Sequence, residues 1–412
     1  MIDLELENNI IENAFCIHII EDNSIDIDTQ INELKDLVLT SGANYVGNIL
    51  VKLRQITPST YIGKGKLEEI NRILSKNQAN IVIFDGFLSP SQTVNMSNIL
   101  DVKVVDRTTL ILDIFAKHAK TSEGKLQVEL AQLEYMYPRL KGKGAELSKL
   151  GGGIGTRGPG ETKLETDRRH IKSRIDALKE NLKEIELRRN LTQKRRAKNK
   201  EILISLVGYT NVGKSTLLNT LSNSDVYCEN KLFATLDTTT RKVLLDDKEV
   251  LFTDTVGFIR NLPTTLINAF KSTLEAVKYS DINVIVASAD EDYNMQIEVT
   301  KKTLDDIGAL GKQILVINKC DKIKDFSLLP KDAILIQAKN NVGIENLINK
   351  INLLLTDDYI TTVLKIPYTE FNNFNKLKQY TEKCEFTYLD DHVLCNVTFK
   401  KIYAQKFTKF KK

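Results

Sequence analysis

The stretch Gly208-Tyr209-Thr210-Asn211-Val212-Gly213-Lys214-Ser215 fits the pattern G-x-x-x-x-G-K-[ST] and decides the fold. The run before it, Ile202-Leu203-Ile204-Ser205-Leu206-Val207, reads as a buried strand. The run after it, Thr216-Leu217-Leu218-Asn219-Thr220-Leu221, reads as the start of a helix. That strand–loop–helix context is what gives the pattern its meaning. The glycines let the backbone curl so that its N–H groups face inward as an anion nest. The helix that follows adds its positive N-terminal end. Lys214 then reaches the β- and γ-phosphates of a nucleotide, and the Ser215 hydroxyl ligates Mg²⁺.

A second motif selects the base. Ile314-Leu315-Val316-Ile317 is strand-like and is followed by Asn318-Lys319-Cys320-Asp321. The Asp321 carboxylate can accept two hydrogen bonds, from guanine N1–H and from its exocyclic amine. Adenine has no such donor pair. This N-K-x-D run resembles the guanine-specificity motif of GTPases. Between the two motifs, the strand-like Glu249-Val250-Leu251-Phe252-Thr253 leads into Asp254-Thr255-Val256-Gly257. A D-x-x-G there places Asp254 near the Mg²⁺ shell and lets the Gly257 N–H meet the γ-phosphate. Loss of that phosphate releases the loop. Upstream, Asp246-Asp247-Lys248 reads as a hairpin turn between Lys242–Leu245 and the D-x-x-G strand. Thr235, within Phe233-Ala234-Thr235-Leu236-Asp237, is the choice for the switch-I threonine on Mg²⁺, with Thr238, Thr239 and Thr240 as competitors.

Composition narrows the class. A chain of 412 residues holds two to four domains, and 42% hydrophobic content supports sizeable cores. The net charge is only +4, so total charge does not announce a nucleic-acid partner. The cysteines Cys16, Cys228, Cys320, Cys384 and Cys395 form no C-x-x-C pair and no metal spacing. His18 lies in an apolar run and reads as a core or edge residue. The N-terminus lacks a signal-peptide pattern, and no apolar stretch approaches the ~20 residues that cross a bilayer. The expected location is cytoplasmic, and the expected state a monomer.

The chain reads as a multidomain α/β protein. Residues 1–107 alternate strand and helix, with strands near Phe15–Ile20, Tyr45–Leu53, Ile81–Phe84 and Val102–Val105, which implies a parallel sheet. Residues 108–200 read as an antiparallel helical arm. Its first helix runs from about Thr108 to Leu140 with Leu126, Leu130 and Leu133, and its second from about Glu161 to Lys200. The second carries the stripe Ile171, Ile175, Leu178, Leu182 and Ile185. The tip between them is glycine-rich and includes Gly151-Gly152-Gly153-Ile154-Gly155. Cations gather at the tip (Lys141, Lys143, Lys149, Arg157) and at the ends of the second helix (Arg168, Arg169, Lys172, Arg174; Arg188, Arg189, Arg195, Arg196). Such an arm suits a structured RNA read by shape and phosphates. Residues 201–355 are the phosphate-loop GTPase domain. Residues 356–412 are a small α/β domain with β-favouring runs Glu385–Leu389 and Val393–Phe399 and a helix between Glu370 and Lys383.

Taken together, Tyr61-Ile62-Gly63-Lys64-Gly65-Lys66, the run Gly158-Pro159-Gly160-Glu161-Thr162-Lys163-Leu164-Glu165-Thr166-Asp167-Arg168-Arg169, the phosphate loop, Phe233–Asp237 and Asp254-Thr255-Val256-Gly257-Phe258-Ile259-Arg260-Asn261-Leu262-Pro263 resemble the HflX GTPases, over about residues 45 to 355. The resemblance implies binding to the large (50S) ribosomal subunit and its rRNA. It also implies splitting or rescue of stalled ribosomes under stress, with a further role in subunit assembly, and an N-terminal domain that approaches the peptidyl-transferase region. Two positions depart from the family. Thr238 stands where proline is common, which predicts a looser switch I. Gln337-Ala338-Lys339 stands where GTPases usually have S-A-K to close over the base.

The expected reaction is hydrolysis of GTP to GDP and phosphate, with Lys214, Thr235 and Gly257 working on the phosphates. Many GTPases orient water with a glutamine just after D-x-x-G. Here that position is Phe258, so turnover is expected to be slow alone and to rise with ribosomes. Asn211 matches a phosphate-loop asparagine of potassium-stimulated GTPases, which makes K⁺ a candidate second cation. Two other functions fit the same features. One is a ribosome-protection factor that displaces antibiotics, with hydrolysis only timing release. The other is an RNA-remodelling ATPase activity in the N-terminal domain, although Gly63-Lys64-Gly65-Lys66 is not a phosphate loop.

Overall fold

The computed structural model describes residues 12–20, 27–53, 55–142, 159–199, 201–222, 232–233, 238–245, 248–260, 271–323, 325–356 and 359–410. By compactness the chain separates into Met1–Asn341 and Val342–Lys412.

The first unit opens with the expected alternation. Strands β1 (Asn13–Ile20), β2 (Asn44–Lys52), β3 (Ile81–Asp85) and β4 (Lys103–Asp106) make a parallel sheet in the order β2-β1-β3-β4. Helices α1 (Ile27–Ser41), α2 (Lys64–Lys76) and α3 (Pro90–Leu100) connect them. The central strands are continuous apolar runs because helices cover parallel sheets. Phe15, Ile17, Ile70, Phe84 and Met96 are among the residues of the resulting core, each contributing about 1.5–3 kcal/mol on burial. A capping box starts α3: Ser89 accepts from the Gln92 amide while the Gln92 side chain accepts from the Ser89 amide.

The expected helix from Thr108 to Leu140 is two helices. Helix α4 (Arg107–His118) ends where Ala119 turns extended, and Thr121 caps α5 (Ser122–Met136) by accepting from the Gly124 amide at 3.0 Å. Helix α4 lies against α1 and buries Leu110, Ile111, Ile114 and Phe115. Helix α6 (Pro159–Asn199, 41 residues) packs on α5. Its predicted stripe is the inner face: Ile175 and Leu178 are buried, and Ile171, Leu182 and Ile185 are half-buried. The buried face of α5 is Gly124, Gln127, Val128, Ala131 and Tyr135 rather than the half-buried leucines at 126, 130 and 133. Ion pairs Glu123–Arg189 (2.5 Å) and Glu134–Lys179 (2.8 Å) run in opposite senses along the two helices, which makes the pair antiparallel. Of the glycine-rich tip, residues 143–158 fall outside the described residues.

Only Lys200 and Glu201 separate the end of α6 from β5 (Ile202–Gly208), the centre of a six-stranded sheet. Its other elements are α7 (Lys214–Leu221), β6 (Thr239–Leu245), β7 (Lys248–Asp254), α8 (Lys271–Lys278), β8 (Ile282–Ser288), α9 (Tyr293–Ile307), β9 (Lys312–Asn318) and β10 (Ile334–Leu335). The order is β10-β9-β8-β5-β7-β6, parallel except for the β6–β7 hairpin that the sequence predicts. Strands β5, β7 and β9 end in Gly208, Asp254 and Asn318, so all three motifs emerge at one edge, where open α/β sheets bind ligands.

The second unit holds α10 (Ile344–Thr356), β11 (Tyr359–Pro367), α11 (Phe371–Leu377), β12 (Thr381–Tyr388), β13 (His392–Lys400) and α12 (Ala404–Phe407). Its antiparallel sheet has the order β11-β13-β12 around Leu364, Ile366, Phe374, Val397, Phe399 and Phe407. Strand β11 lies outside the β-favouring runs that the sequence marks, and the helix expected up to Lys383 stops at Leu377 because β12 begins at Thr381.

Candidate nucleotide-binding site

The loop between β5 and α7 has the backbone that a phosphate nest requires. Gly208 lies at φ +154°, and a Cβ there would stand 2.1 Å from the Val286 carbonyl oxygen. Gly213 lies at φ +91°, and a Cβ there would stand 2.4 Å from Asn318 Nδ2. Asn211 is also left-handed, at φ 61°. The Lys214 amine is inside the curl and donates to the carbonyls of Gly208 (3.1 Å) and Tyr209 (2.7 Å). Burial pushes its pKa down to about 8, against the pull of Asp254. Val212 is fully buried, so it serves the loop through its backbone.

Asn318 ties this loop to the base-side loops. Its Nδ2 donates to the Val212 carbonyl (2.9 Å), and its Oδ1 accepts from the Ala338 amide (3.0 Å). Lys319, at φ 56°, reaches the Asn211 carbonyl (3.3 Å) and Asp290 (2.8 Å). Burial acts to raise the Asp290 carboxyl, but the bond from Lys319 holds it below its usual value. The Cys320 amide donates to Ile336 (3.1 Å), which fixes the turn that presents the exposed Asp321. Gln337 opens the last loop; Ala338 is buried and accepts from Thr220 (2.8 Å), while Lys339 is exposed. In this loop it is the Ala338 backbone that is held.

On the γ-phosphate side, Ser215 Oγ donates to Asp254 Oδ2 at 2.5 Å. A hydroxyl beside a carboxylate is a hard-oxygen donor set that fits Mg²⁺. The Thr255 hydroxyl donates to the Leu206 carbonyl (2.7 Å), and Val256 is buried. Gly257 sits directly on the phosphate loop: a Cβ there would lie 2.7 Å from Thr210 Cα. The next residue pairs with the loop, Phe258 N to Gly208 O (3.0 Å) and Thr210 N to Phe258 O (2.8 Å). The Phe258 ring packs with Val207, Leu274, Val277, Ile285 and Leu304, so it belongs to the core. The Thr210 hydroxyl is buried beside Gly257 with no hydrogen-bond partner among the described residues. Residues Ala234, Thr235, Leu236 and Asp237 lie outside the described residues. Phe233 is buried against Phe115 of α4 at 4.5 Å. Thr240 bonds Thr253 (3.0 Å) within the hairpin.

Residues 28–116 match the family "GTP-binding GTPase N-terminal", residues 118–196 "GTP-binding GTPase Middle Region", and residues 203–319 "50S ribosome-binding GTPase". The GTPase HflX of Caldanaerobacter subterraneus subsp. tengcongensis is 48% identical over 371 residues, covering 89% of this chain and 86% of its own. That of Lacrimispora saccharolytica is 44% identical over 379 residues, covering 90% and 89%. That of Escherichia coli is 37% identical over 369 residues, covering 87% and 86%. The chain belongs to the HflX GTPases. It is a GTP hydrolase, and its P-loop GTPase domain implies the binding of magnesium and GTP typical of the family.

The HflX core also joins Tyr209 of the phosphate loop to residues that its nucleotide motifs do not mark. The Tyr209 hydroxyl donates to Glu33 of α1 and accepts from the Arg260 amide at 2.8 Å. Burial, and then Glu33, push the Tyr209 hydroxyl well above its ordinary pKa, so it stays a neutral donor. Glu33 pairs with Arg107, which also bonds Asp85 (2.8 Å), and Asp85 bonds His18 (2.9 Å). Burial acts to raise Asp85, but His18 and Arg107 outweigh it and hold the carboxyl below its usual value. The available signal was weak: Glu33 is a charged residue on the otherwise apolar buried face of α1, beside Leu34, and Arg107 follows the capping residue Asp106.

Some arm cations already have partners. Arg174 makes a two-pronged bond to Glu129 (2.7 and 2.8 Å), Arg189 pairs with Glu123, and Arg168 lies over the Tyr137 ring at 5.4 Å. Among the described residues, no helix is long and apolar enough to cross a membrane.

Proposed function

We propose that this HflX protein binds the large ribosomal subunit in its GTP form and uses hydrolysis to leave. In that role it splits or rescues stalled ribosomes, with subunit assembly as a related use of the same binding. The observation that supports this reading is the arm. A helix of 41 residues continues after two residues into the strand that ends at the phosphate loop. A long helical pair fixed to a nucleotide switch suits a reach into a large partner. The family description "50S ribosome-binding GTPase" for residues 203–319 names the same partner.

Within the site, the loop amides and Lys214 hold the phosphates, Gly257 senses the last of them, and Asp321 reads guanine. Ser215 and Thr235 would hold Mg²⁺, with Asp254 supporting it through its shell, and the ion would neutralise charge on the phosphates. Phe258 is a core residue, so water must be oriented by other groups. Thr210 is the buried hydroxyl at hand. A potassium ion near Asn211 is a further part of this reading, and equal rates in Na⁺ and K⁺ would remove it.

Sedimentation with separated large subunits tests the proposal. The expected result is co-migration with a non-hydrolysable GTP analogue, release with GDP, and hydrolysis that rises when subunits are added. Equal binding in both nucleotides, or no binding, would end it. Dissociation of whole ribosomes on the same gradients distinguishes splitting from protection against a bound drug.

A further inference from the structure

Conventional GTPase chemistry does not require a tyrosine hydroxyl at the second position of the phosphate loop. The loop holds phosphates with backbone amides, and the Tyr209 ring is 3% exposed, turned away from solvent. Its hydroxyl is nevertheless fully used, giving one bond to Glu33 and taking one from the Arg260 amide. Those partners belong to different layers. Arg260 lies just beyond Gly257, in the segment that responds to the γ-phosphate. Glu33 lies on α1, in the parallel-sheet layer at the start of the chain.

Glu33 is held in place by charge. It is 8% exposed, and Arg107 at 7% pairs with it. A buried carboxylate that loses its partner is costly, so this pair cannot drift apart cheaply. Arg107 begins α4, and Asp85 at the end of β3 holds its other side. The Tyr209 bond therefore ends on a rigid anchor inside the N-terminal layer. A second, apolar contact reaches the same layer: Phe233, at the edge of switch I, packs on Phe115 of α4. The segments on both sides of the γ-phosphate thus rest on the α1–α4 pair.

We propose that Tyr209 and Glu33 are positioning residues that couple the γ-phosphate sensor to the N-terminal layer. A shift of Gly257 moves the Arg260 amide, the amide pulls on the Tyr209 hydroxyl, and the hydroxyl loads or unloads Glu33. Coupling of this kind is reciprocal, so whatever binds the N-terminal layer biases the choice between GTP and GDP by the same factor. The consequence for large-subunit affinity rests on the function proposed above. The coupling itself does not.

Hydrogen exchange in the full-length protein reads it directly. Amide protection in Ile27–Ser41 and Arg107–His118 is compared at saturating GDP and at saturating non-hydrolysable GTP analogue, without ribosomes. The wild type is expected to differ between the two states by about tenfold in its slowest α1 amides. Glu33→Ala, remote from the nucleotide, is expected to remove most of that difference while GDP affinity stays as in the wild type. Tyr209→Phe, which deletes one oxygen and leaves the fold, is expected to remove it as well. No difference in the wild type, or a difference that survives Tyr209→Phe, overturns the proposal. So does a difference that survives Glu33→Ala but not Tyr209→Phe, because the coupling would then not reach the N-terminal layer. Failure of the ribosome reading would appear elsewhere, in sedimentation.

Discussion

Asn318→Ala is the sharpest test of how the site is built. The side chain makes two buried bonds, to Val212 O at 2.9 Å and from Ala338 N at 3.0 Å. The three residues are 4%, 0% and 1% exposed, so water does not replace what is lost. Each unpaired backbone group costs about 1–3 kcal/mol, so removal costs about 2–6 kcal/mol in all. In the free protein the two loops can separate and relieve part of that cost. With a nucleotide bound they are pinned on either side of it and cannot. Most of the loss therefore falls on affinity, and at about 1.4 kcal/mol per tenfold the expected weakening is about a hundredfold or more. Titration calorimetry with GDP measures it, and thermal unfolding of the nucleotide-free protein measures the remainder. Asn318→Asp adds a control: it keeps an acceptor for Ala338 N but sets an oxygen against Val212 O, so it should bind no better than the alanine variant. A loss of less than about fivefold in Asn318→Ala would refute the bridge as an energetic element.

Asp321→Asn should weaken GTP about a hundredfold and favour xanthosine triphosphate, whose C2 carbonyl accepts the new amide. An unchanged preference in competition binding would remove Asp321 from base selection. Thr210→Val should lower kcat by about tenfold more than it weakens GTP binding, if its buried hydroxyl helps place water. Equal losses in single-turnover rate and in binding would count against that role. Asp85 has a folded pKa below its ordinary 3.8, so it stabilises the protein above that pH and ceases to do so as pH falls through the folded value. Urea unfolding between about pH 5 and 3 should therefore show a shallower loss of stability in Asp85→Asn than in the wild type. Parallel curves would mean that Asp85 does not contribute.

The nucleotide motifs were readable because each rests on local backbone demands. Gly208 and Gly213 are required by contacts at 2.1 and 2.4 Å, and only glycine meets them. The first-layer strands were readable for a similar reason: Ile81-Val82-Ile83-Phe84 is buried on both faces and reads as an unbroken apolar run. The break before α5 was present in the sequence as Thr121-Ser122-Glu123-Gly124, a capping residue before a helix start, but helical periodicity on both sides hid it. Strand β11 was missed because Thr361 and Thr362 dilute its apolar alternation. The Glu33–Tyr209 bond joins positions 176 apart in sequence, and no local pattern records such a pairing. Phe233 shows the limit in another way. Its place in the motif suggested the nucleotide, whereas its ring faces Phe115.

The direct continuation of α6 into β5 has a mechanical consequence. At ~1.5 Å per residue the helix is ~60 Å long, so a tilt of about 5° at its base sweeps the far end through about 5 Å. A helix of that length amplifies any rotation at its base, and the pairs Glu129–Arg174, Glu134–Lys179 and Glu123–Arg189 brace it against α5. Arg174–Glu129 and Lys179–Glu134 are the more exposed of the three pairs, so added salt would weaken those two braces first and the half-buried Glu123–Arg189 pair least.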